Sequence, residues 1–292
     1  MVDVLITGGA GFVGHNLARL LRPGMSVVAA DWRTAMPEDV DVPSVGMDVR
    51  DADAVRAVLA EARPRTVIHA AGNKNVRDCE EHPEEAFLTN AVGTRNVARA
   101  CRELGIHLIY LSTDLVFEST QGGYAETDIP RPTLVYGRTK RQGEEFALEE
   151  CPGAAVCRSG GIYGRRSPLL GWLAGELRGG RRVEAFTDVS NTPTYVGSLA
   201  DMMAVIARRG LPGVFHTVGG ERVSRFGFFR AFAEAFSLDA SLLVPVAAGP
   251  RREQMLLQAD ASLSCRSTTA ALGVAALSLS AGLRRLRDEG GE

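Results

Sequence analysis

The sequence predicts a doubly wound α/β fold, in which helices cover both faces of a parallel sheet. Three observations lead to this prediction. Short apolar runs alternate with amphipathic segments through the first half of the chain. A glycine-rich turn at residues 6–14, ITGGAGFVG, joins the first apolar run to a helix-like segment. The chain has 292 residues, which is enough for a large core and a smaller additional lobe.

The predicted elements of the first half are short strands separated by helices. Each strand is a continuous apolar run, which is typical of strands that helices bury on both faces. The predicted strands cover residues 2–7, 26–30, 66–70 and 107–112, and the predicted helices cover residues 12–21, 53–62 and 84–103.

The pattern is less regular in the second half. A further strand over residues 154–158 is followed by helical segments, which are separated by prolines and pairs of glycines. This arrangement predicts a smaller lobe that the chain enters several times. The helical segments cover residues 169–178, 199–208, 225–236 and 279–288.

Composition excludes several classes of partner. The formal net charge of −2 gives no electrostatic reason to expect a nucleic acid or an anionic membrane. The five cysteines are scattered, and the histidines show no metal-ligand spacing. There is no secretory leader and no run of about 18 apolar residues. We therefore expect a cytoplasmic protein with reduced thiols, no bound metal and no membrane span.

The glycine-rich turn is the first candidate site. Gly8, Gly11 and Gly14 follow the order G-x-x-G-x-x-G between a strand and a helix. Glycines there permit positive φ and let a pyrophosphate approach the backbone N–H groups. The positive end of the following helix favours the same diphosphate. A bare tight turn is the alternative, so the surroundings of the turn must decide.

An acidic residue after the second strand favours a dinucleotide. Asp31 stands where a carboxylate accepts hydrogen bonds from the adenosine ribose. Trp32 is a candidate to flank the adenine ring. Asp48 and Val49 are candidates to contact the edge of the adenine. The alternative for Asp48 is a helix N-cap. Asp31 repels a 2′-phosphate, whereas Arg33 would attract one. We expect NAD or NADP, with NAD preferred.

Tyr136 and Lys140 are the candidate proton-transfer pair. Their i, i+4 spacing in LVYGRTK places both side chains on one helix face. A phenol has a pKa of about 10, and a neighbouring ammonium should lower it. Tyr136 would then move the proton while Lys140 also reaches the nicotinamide ribose. Two exposed helix residues are the alternative, because Y-x-x-x-K also arises by chance.

A hydroxyl group ends the strand that precedes this helix. The stretch STDLVF places Thr113 and Asp114 at the carboxyl edge of the sheet, where open α/β sheets bind ligands. A hydroxyl there can polarise a substrate carbonyl. We assign this role to Thr113; the alternative is a β-branched residue that only favours a strand.

At this point the chain resembles the extended short-chain dehydrogenase/reductases, and within them the branch of dTDP-4-dehydrorhamnose reductase. The resemblance covers nearly the whole chain, and the pairing of STD-VF with Y-G-x-T-K is specific. It is carried by TGGAGFVG, HAAG at 69–72, TNAVGTRNVARAC at 89–101, LSTDLVF at 111–117, YAETDIPRPTLVYGRTKRQGE at 124–144, CRSGGIYG at 157–164 and TPTYVGSLADM at 192–202.

The resemblance implies a catalytic set of Thr113, Tyr136 and Lys140. The implied reaction reduces a nucleotide-linked keto sugar of the 4-keto-6-deoxyhexose type, with hydride from the nicotinamide and a proton from Tyr136. Residues 1–160 would form the NAD(P)-binding Rossmann domain. Residues 161–292 would be mainly a substrate-binding lobe, with some segments returning to the sheet. A homodimer is compatible with the family.

The cofactor-binding set combines the turn, the carboxylates and the positions that the resemblance implies. Among the latter, two glycines after the strand at 154–158 would line the nicotinamide. The whole set is Gly8, Gly11, Phe12, Val13, Gly14, Asp31, Trp32, Arg33, Asp48, Val49, Ala70, Ala71, Gly72, Tyr136, Lys140, Gly160 and Gly161.

Lys74, Asp114, Arg158 and Thr194 are the candidate substrate contacts. Lys74 departs from the reductase branch and is similar to a lysine of related dehydratases, although a plain surface lysine is the alternative. Leu115 stands where those dehydratases carry a lysine, which disfavours a dehydratase.

Two alternative functions remain open. A nucleotide-sugar 4-epimerase or dehydratase would share every cofactor motif. An alternative of another class is a non-catalytic dinucleotide-binding subunit, because the regulatory subunit of methionine adenosyltransferase resembles the same branch.

Overall fold

The computed structural model describes residues 2–32 and 40–290. Its strands are β1 (Val4–Thr7), β2 (Val27–Asp31), β3 (Ser44–Gly46), β4 (Thr66–His69), β5 (His107–Thr113), β6 (Ala155–Ser159), β7 (Ile162–Tyr163), β8 (Val183–Phe186), β9 (Ser190–Asn191), β10 (Thr194–Tyr195), β11 (Gly213–His216), β12 (Val223–Ser224) and β13 (Leu243–Val246). Its α-helices are α1 (Phe12–Leu21), α2 (Ala52–Ala62), α3 (Val76–Glu81), α4 (Pro83–Phe87), α5 (Gly93–Leu104), α6 (Val135–Glu150), α7 (Pro168–Arg178), α8 (Val196–Arg209), α9 (Arg225–Ala235), α10 (Arg251–Gln254), α11 (Arg266–Leu272) and α12 (Leu279–Asp288).

Within the described residues, seven strands form one parallel sheet in the order β11-β6-β5-β4-β1-β2-β3. The direction of winding reverses between β1 and β4, which are neighbours in space but not in sequence. Thr7 of β1 is level with Ala30 of β2 and with His69 of β4. The carboxyl ends of these strands therefore meet at one edge, at the switch point where such sheets bind ligands.

Successive residues of the central strands face opposite layers of helices. Ile6 and Ile68 belong to a core that they share with α1 and α8. Leu5 and Val67 belong to the opposite core, together with α2, α5 and α6. Because side chains alternate along a strand and both faces are covered, these strands are apolar throughout.

The second half builds a smaller core between α7, α9 and α12, around the parallel pair of β8 with β13. An ion pair of 2.7 Å joins the end of the last helix to α1. It is formed by Glu289, the C-cap of α12, and Arg19 of α1. Two elements of this half return to the large sheet. β11 pairs with β6, and α8 packs beside α1. No helix in residues 2–32 and 40–290 is both long enough and apolar enough to span a membrane.

The doubly wound parallel sheet is confirmed. Helices α1 and α12 have the predicted bounds, whereas the helix predicted over residues 84–103 is divided by a π-helical turn at Leu88–Val92. The edge strand β11 was not predicted. It has four residues and begins at Gly213, so its strand conformation depends on pairing with β6 rather than on a local apolar run.

Candidate active site

The glycine-rich turn lies at the carboxyl end of β1 and leads into α1. Gly8 has a φ of +66°, and a Cβ placed there would lie 2.8 Å from the Cα of Ala71. The Gly11 N–H donates a hydrogen bond of 3.0 Å to the Gly8 carbonyl. A Cβ at Gly14 would overlap that same carbonyl oxygen. The turn therefore requires glycine at both Gly8 and Gly14, for conformation and for space.

The first turn of α1 offers backbone N–H groups to an anion. Gly11 is its N-cap, and within the described residues no side chain caps this end and no acidic residue occupies its first turn. Backbone N–H groups at Phe12 and Val13 therefore lie at the positive end of the helix. This uncapped cradle fits a dinucleotide diphosphate.

Asp31 ends β2 beside this turn. One of its carboxylate oxygens accepts a hydrogen bond of 3.3 Å from the Ala10 N–H. The structure thus brings the predicted ribose-binding carboxylate to the glycine-rich turn. Arg33 lies outside the described residues.

The proposed adenine contacts lie around Arg50, a residue that the sequence analysis missed. The Arg50 guanidinium lies 4.7 Å from the centroid of the exposed Trp32 ring. The same guanidinium donates to the Asp48 carboxylate at 2.6 Å. The Asp48 carboxylate was expected to meet the adenine edge, but here it is engaged by Arg50. Val49 is buried against Gly93.

The segment after β4 forms the wall opposite the turn. The Ala71 N–H donates a hydrogen bond of 3.2 Å to the Thr7 hydroxyl. A Cβ at Gly72 would lie 2.8 Å from the Asn90 side-chain oxygen. Both Ala71 and Gly72 are therefore held close to the carboxyl edge of the sheet, directly after Ala70.

Asn90, in the π-helical turn, is a second residue that the sequence analysis missed. Its side-chain oxygen accepts from the Asn73 N–H at 2.7 Å, and its amide group donates to the Thr139 hydroxyl at 3.1 Å. Asn90 thus connects the wall after β4 to α6, the helix that carries Tyr136 and Lys140. The π turn was not predicted from the sequence, because it differs from an α-helix by one residue in hydrogen bonding.

Lys140 is buried, and its ammonium does not act on Tyr136 as expected. Its Nζ donates a hydrogen bond of 2.8 Å to the Leu111 carbonyl. The same Nζ lies 4.1 Å from the centroid of the Tyr110 ring. Burial lowers the pKa of Lys140 to about 7. The expected lowering of the Tyr136 pKa by Lys140 is wrong for this structure, because burial raises the Tyr136 pKa and Asp114 adds to that rise.

Thr113 stands next to Tyr136, as predicted. The Thr113 side chain lies close enough to Tyr136 to oppose part of the rise in the Tyr136 pKa. The Thr113 hydroxyl also lies 3.0 Å from a carboxylate oxygen of Asp114. The carboxyl end of β5 therefore places a hydroxyl and a carboxyl group together, near Tyr136.

The two glycines after β6 close this side of the site. A Cβ at Gly160 would overlap the Asp114 carboxylate, and a Cβ at Gly161 would lie 2.7 Å from the Asn191 side-chain nitrogen. Thr194 is buried, and its hydroxyl donates a hydrogen bond of 2.8 Å to the Gly160 carbonyl. Thr194 was expected to contact substrate; in the structure its hydroxyl holds the Gly160–Gly161 loop.

Arg158 and Lys74 differ in their access to the site. Arg158 is buried and pairs with Glu144 at 2.8 Å, so its charge is neutralised within the protein rather than offered to an anion. Lys74 is exposed, and its ammonium lies 5.4 Å from the centroid of the Phe12 ring at the start of α1. Lys74 is thus placed beside the diphosphate cradle.

Arg225 is a third residue missed by the sequence analysis. It begins α9, directly after β12, which pairs with β9 and thereby lies beside Asn191. Arg225 is half-buried, and burial lowers its pKa. Its backbone N–H donates a hydrogen bond of 2.8 Å to the Val189 carbonyl, but among the described residues its guanidinium has no hydrogen-bond or ion-pair partner. Over the same ranges, no group of three or more His, Cys, Asp or Glu side chains is arranged to hold a metal ion.

The sheet, the glycine-rich turn and the Thr113–Tyr136 contact define a Rossmann-fold protein of the extended short-chain dehydrogenase/reductase type. More specifically, the chain belongs to the RmlD substrate binding domain family, whose model matches residues 2–290.

Similar proteins include reductases and a subunit of methionine adenosyltransferase. A probable low-salt glycan biosynthesis reductase of Haloferax volcanii is 31% identical, over 93% of this chain and 96% of that protein. The β subunit of methionine adenosyltransferase 2 of Bos taurus is 30% identical, over 85% of this chain and 76% of that protein. The crystal structure of dTDP-4-dehydrorhamnose reductase of Bacillus anthracis in complex with NADP has a TM-score of 0.85 and 25% identity, over 99% of each chain.

Proposed function

We propose that this chain is an NAD(P)-dependent reductase of a nucleotide-linked keto sugar of the 4-keto-6-deoxyhexose type. The observation that carries the proposal is that Thr113, at the end of β5, lies close enough to Tyr136 of α6 to act on the Tyr136 pKa. Thr113 lies at the carboxyl edge of the sheet, on the same side as the uncapped first turn of α1. The name of the similar Bacillus anthracis enzyme and its NADP complex support the same reaction and cofactor.

The cofactor would be held along the switch point of the sheet. The diphosphate would bind the N–H groups of Gly11, Phe12 and Val13, with Lys74 nearby. Asp31 would bind the adenosine ribose, and Trp32 with Arg50 would enclose the adenine. When bound, the cofactor supplies the hydride that reduces the carbonyl carbon.

Tyr136 would donate the proton to the substrate oxygen. Because burial raises its pKa, the phenol is protonated at neutral pH and can act as an acid. Thr113 would hydrogen-bond the same substrate oxygen and polarise the carbonyl. Lys140 would lie close to the nicotinamide ribose and donate a hydrogen bond to it.

The substrate diphosphate would bind on the lobe side of the cleft. Arg225 is a suitable group, because a half-buried guanidinium that lacks a protein partner is stabilised by a bound anion. We include a cytoplasmic location in the proposal, which the free state of all five cysteines supports.

The test is oxidation of NADH and NADPH with a panel of dTDP- and UDP-linked keto sugars. We expect stoichiometric oxidation of the reduced cofactor with at least one of them. Tyr136→Phe should lower turnover by about 10²- to 10⁴-fold while cofactor binding changes less than about twofold, because the phenyl ring keeps the packing. Conversion of a nucleotide sugar without net oxidation would indicate an epimerase or a dehydratase instead.

The second candidate is a non-catalytic dinucleotide-binding subunit, favoured by the 30% identity to the methionine adenosyltransferase β subunit. It predicts cofactor binding without turnover on any keto sugar. A biological activity of the chain that survives Tyr136→Phe unchanged would support this candidate and contradict the reductase.

A further inference from the structure

Glu80 of α3 is bonded to the first turn of the helix that carries Tyr136. One of its carboxylate oxygens accepts a hydrogen bond of 2.6 Å from the Val135 N–H, although the two residues are 55 positions apart in the chain. Val135 is the first residue of α6 and directly precedes Tyr136. The contact therefore acts on the backbone one residue before the proposed proton donor.

The start of α6 needs a hydrogen-bond acceptor from outside the helix, because the first N–H groups of an α-helix have no partner within it. The N-cap of α6 is Leu134, whose apolar side chain cannot accept a hydrogen bond, and no acidic residue stands in the first turn. Glu80 supplies the missing acceptor. A carboxylate at the positive end of a helix is a favourable one, since both the charge and the dipole strengthen the bond.

The helix that carries Glu80 is itself fixed to the wall after β4. Asn75 is the N-cap of α3, and its side chain accepts a hydrogen bond of 3.2 Å from the Asp78 N–H. The Asn73 side chain donates to the Asp78 carboxylate. The Asn73 N–H donates a hydrogen bond of 2.7 Å to the Asn90 side chain. Glu80 thus joins α6 to an element that is held in place beside the proposed cofactor site.

Two other contacts hold the first turns of α6, but both lie after Tyr136. A Cβ at Gly137 would overlap the Leu115 carbonyl oxygen, so α6 lies directly against the turn that follows β5. The Thr139 hydroxyl donates a hydrogen bond of 3.0 Å to the Tyr136 carbonyl. Neither contact replaces the hydrogen bond from Glu80, which holds the end of the helix on the other side of Tyr136.

We propose that Glu80 is a positioning residue, whose hydrogen bond with the Val135 N–H holds Tyr136 where it can protonate substrate. The proposal rests on the proposed reductase function. It assigns Glu80 no contact with substrate or cofactor, because its effect passes through the backbone of α6. A displacement of about 1 Å in a reacting group can lower a rate by about 10²-fold, so a single hydrogen bond next to Tyr136 is sufficient to matter.

The kinetic test compares Glu80→Ala, Glu80→Gln and the control Glu81→Ala, which changes the neighbouring exposed residue of α3. Gln keeps an oxygen acceptor at the same length, whereas Ala has none. We expect Glu80→Ala to lower kcat about tenfold or more. The Kd for the reduced cofactor should change less than about twofold, since the cradle at α1 is intact. Glu80→Gln should recover most of the lost kcat, and Glu81→Ala should have the wild-type value.

A spectroscopic test measures the position of Tyr136 without turnover. In protein labelled with ¹³C at the tyrosine Cζ, the Tyr136 resonance is identified by its loss in Tyr136→Phe. We expect its chemical shift to move in Glu80→Ala and to stay close to the wild-type value in Glu80→Gln and Glu81→Ala. If Glu80→Ala does not fold, Glu80→Met takes its place in both tests, because Met keeps the length of the side chain without an oxygen acceptor.

A wild-type kcat in Glu80→Ala would overturn the proposal, as would a Tyr136 resonance that does not move in that variant. Equal losses of kcat in Glu80→Ala and Glu80→Gln would also overturn it, because the acceptor would then not be the cause. A wild-type protein that oxidises no reduced cofactor contradicts the reductase function. In that case the chemical shifts still decide whether Glu80 positions Tyr136.

Discussion

Glu144 and Arg158 form a bidentate ion pair beneath the candidate active site, with Nε–Oε1 and Nη2–Oε2 distances of 2.9 and 2.8 Å. The exposed fraction of the two side chains is 0% and 3%. Ser112 and Arg141 also donate to the same carboxylate, at 2.6 and 3.0 Å. Burial by itself would raise the pKa of Glu144, but these hydrogen bonds lower it below its usual value.

Removing the charge of Glu144 should strongly destabilise the fold. Glu144→Gln leaves the buried Arg158 guanidinium uncompensated, which we expect to lower the free energy of unfolding by about 3–5 kcal/mol. Urea denaturation followed by circular dichroism measures this change. The control is Glu145→Gln on the same helix, because Glu145 is 37% exposed and its pair should contribute less than about 1 kcal/mol. Equal effects of the two substitutions would contradict a structural role for the buried pair.

His69 should make the fold less stable in acid. Its ring lies between the hydroxyls of Thr7 and Thr94, and burial lowers its pKa from 6.5 to about 3. The unfolded chain therefore binds a proton that the folded chain does not, and stability falls as pH drops below 6.5. From pH 7 to 5 this group should remove about 2 kcal/mol from the free energy of unfolding.

His69→Gln should remove that part of the pH dependence. The comparison is between free energies of unfolding at pH 7 and pH 5 for the wild type and the variant. His82→Gln is the control, because the His82 side chain is 54% exposed. A wild-type difference that persists in His69→Gln would show that other groups are responsible.

Gly14→Ala should impair cofactor binding. The added methyl group would overlap the Gly8 carbonyl oxygen, so the turn must open and displace the N–H groups at the start of α1. We expect the Kd for NADH and NADPH to rise about tenfold or more, equivalent to about 1.4 kcal/mol per tenfold. Isothermal titration calorimetry measures it. Gly175→Ala on α7, where a Cβ would meet open space, should leave the Kd unchanged, and unchanged binding by Gly14→Ala would contradict the assigned cradle.

Arg225→Gln should weaken binding of the nucleotide sugar rather than the chemical step. A phosphate contact that is equally strong in the ground and transition states changes KM and leaves kcat the same. We expect KM to rise about tenfold and kcat to change less than about twofold. Arg230→Gln on the same helix is the control, since Arg230 is 60% exposed and paired with Glu234 at 2.9 Å. A fall in kcat at constant KM would exclude this role for Arg225.

Several parts of the fold could be predicted because their signals are local. The apolar period of α1 and the continuous apolar runs of β1 and β5 are contained within single segments. Strand β11 has four residues, and its pairing partner β6 comes from a distant part of the chain. No local period identifies such a short edge strand.

The sequence by itself determined the doubly wound sheet and the placement of Thr113 at a strand end. The spacing of apolar residues and the need for glycine in the turn act over a few residues, so they can be identified without a structure. Only the tertiary structure decided which polar groups are available to a ligand. Arg158 is neutralised by Glu144 and Asp48 is engaged by Arg50, because the charge and access of a side chain depend on burial and on the partners that the fold brings to it.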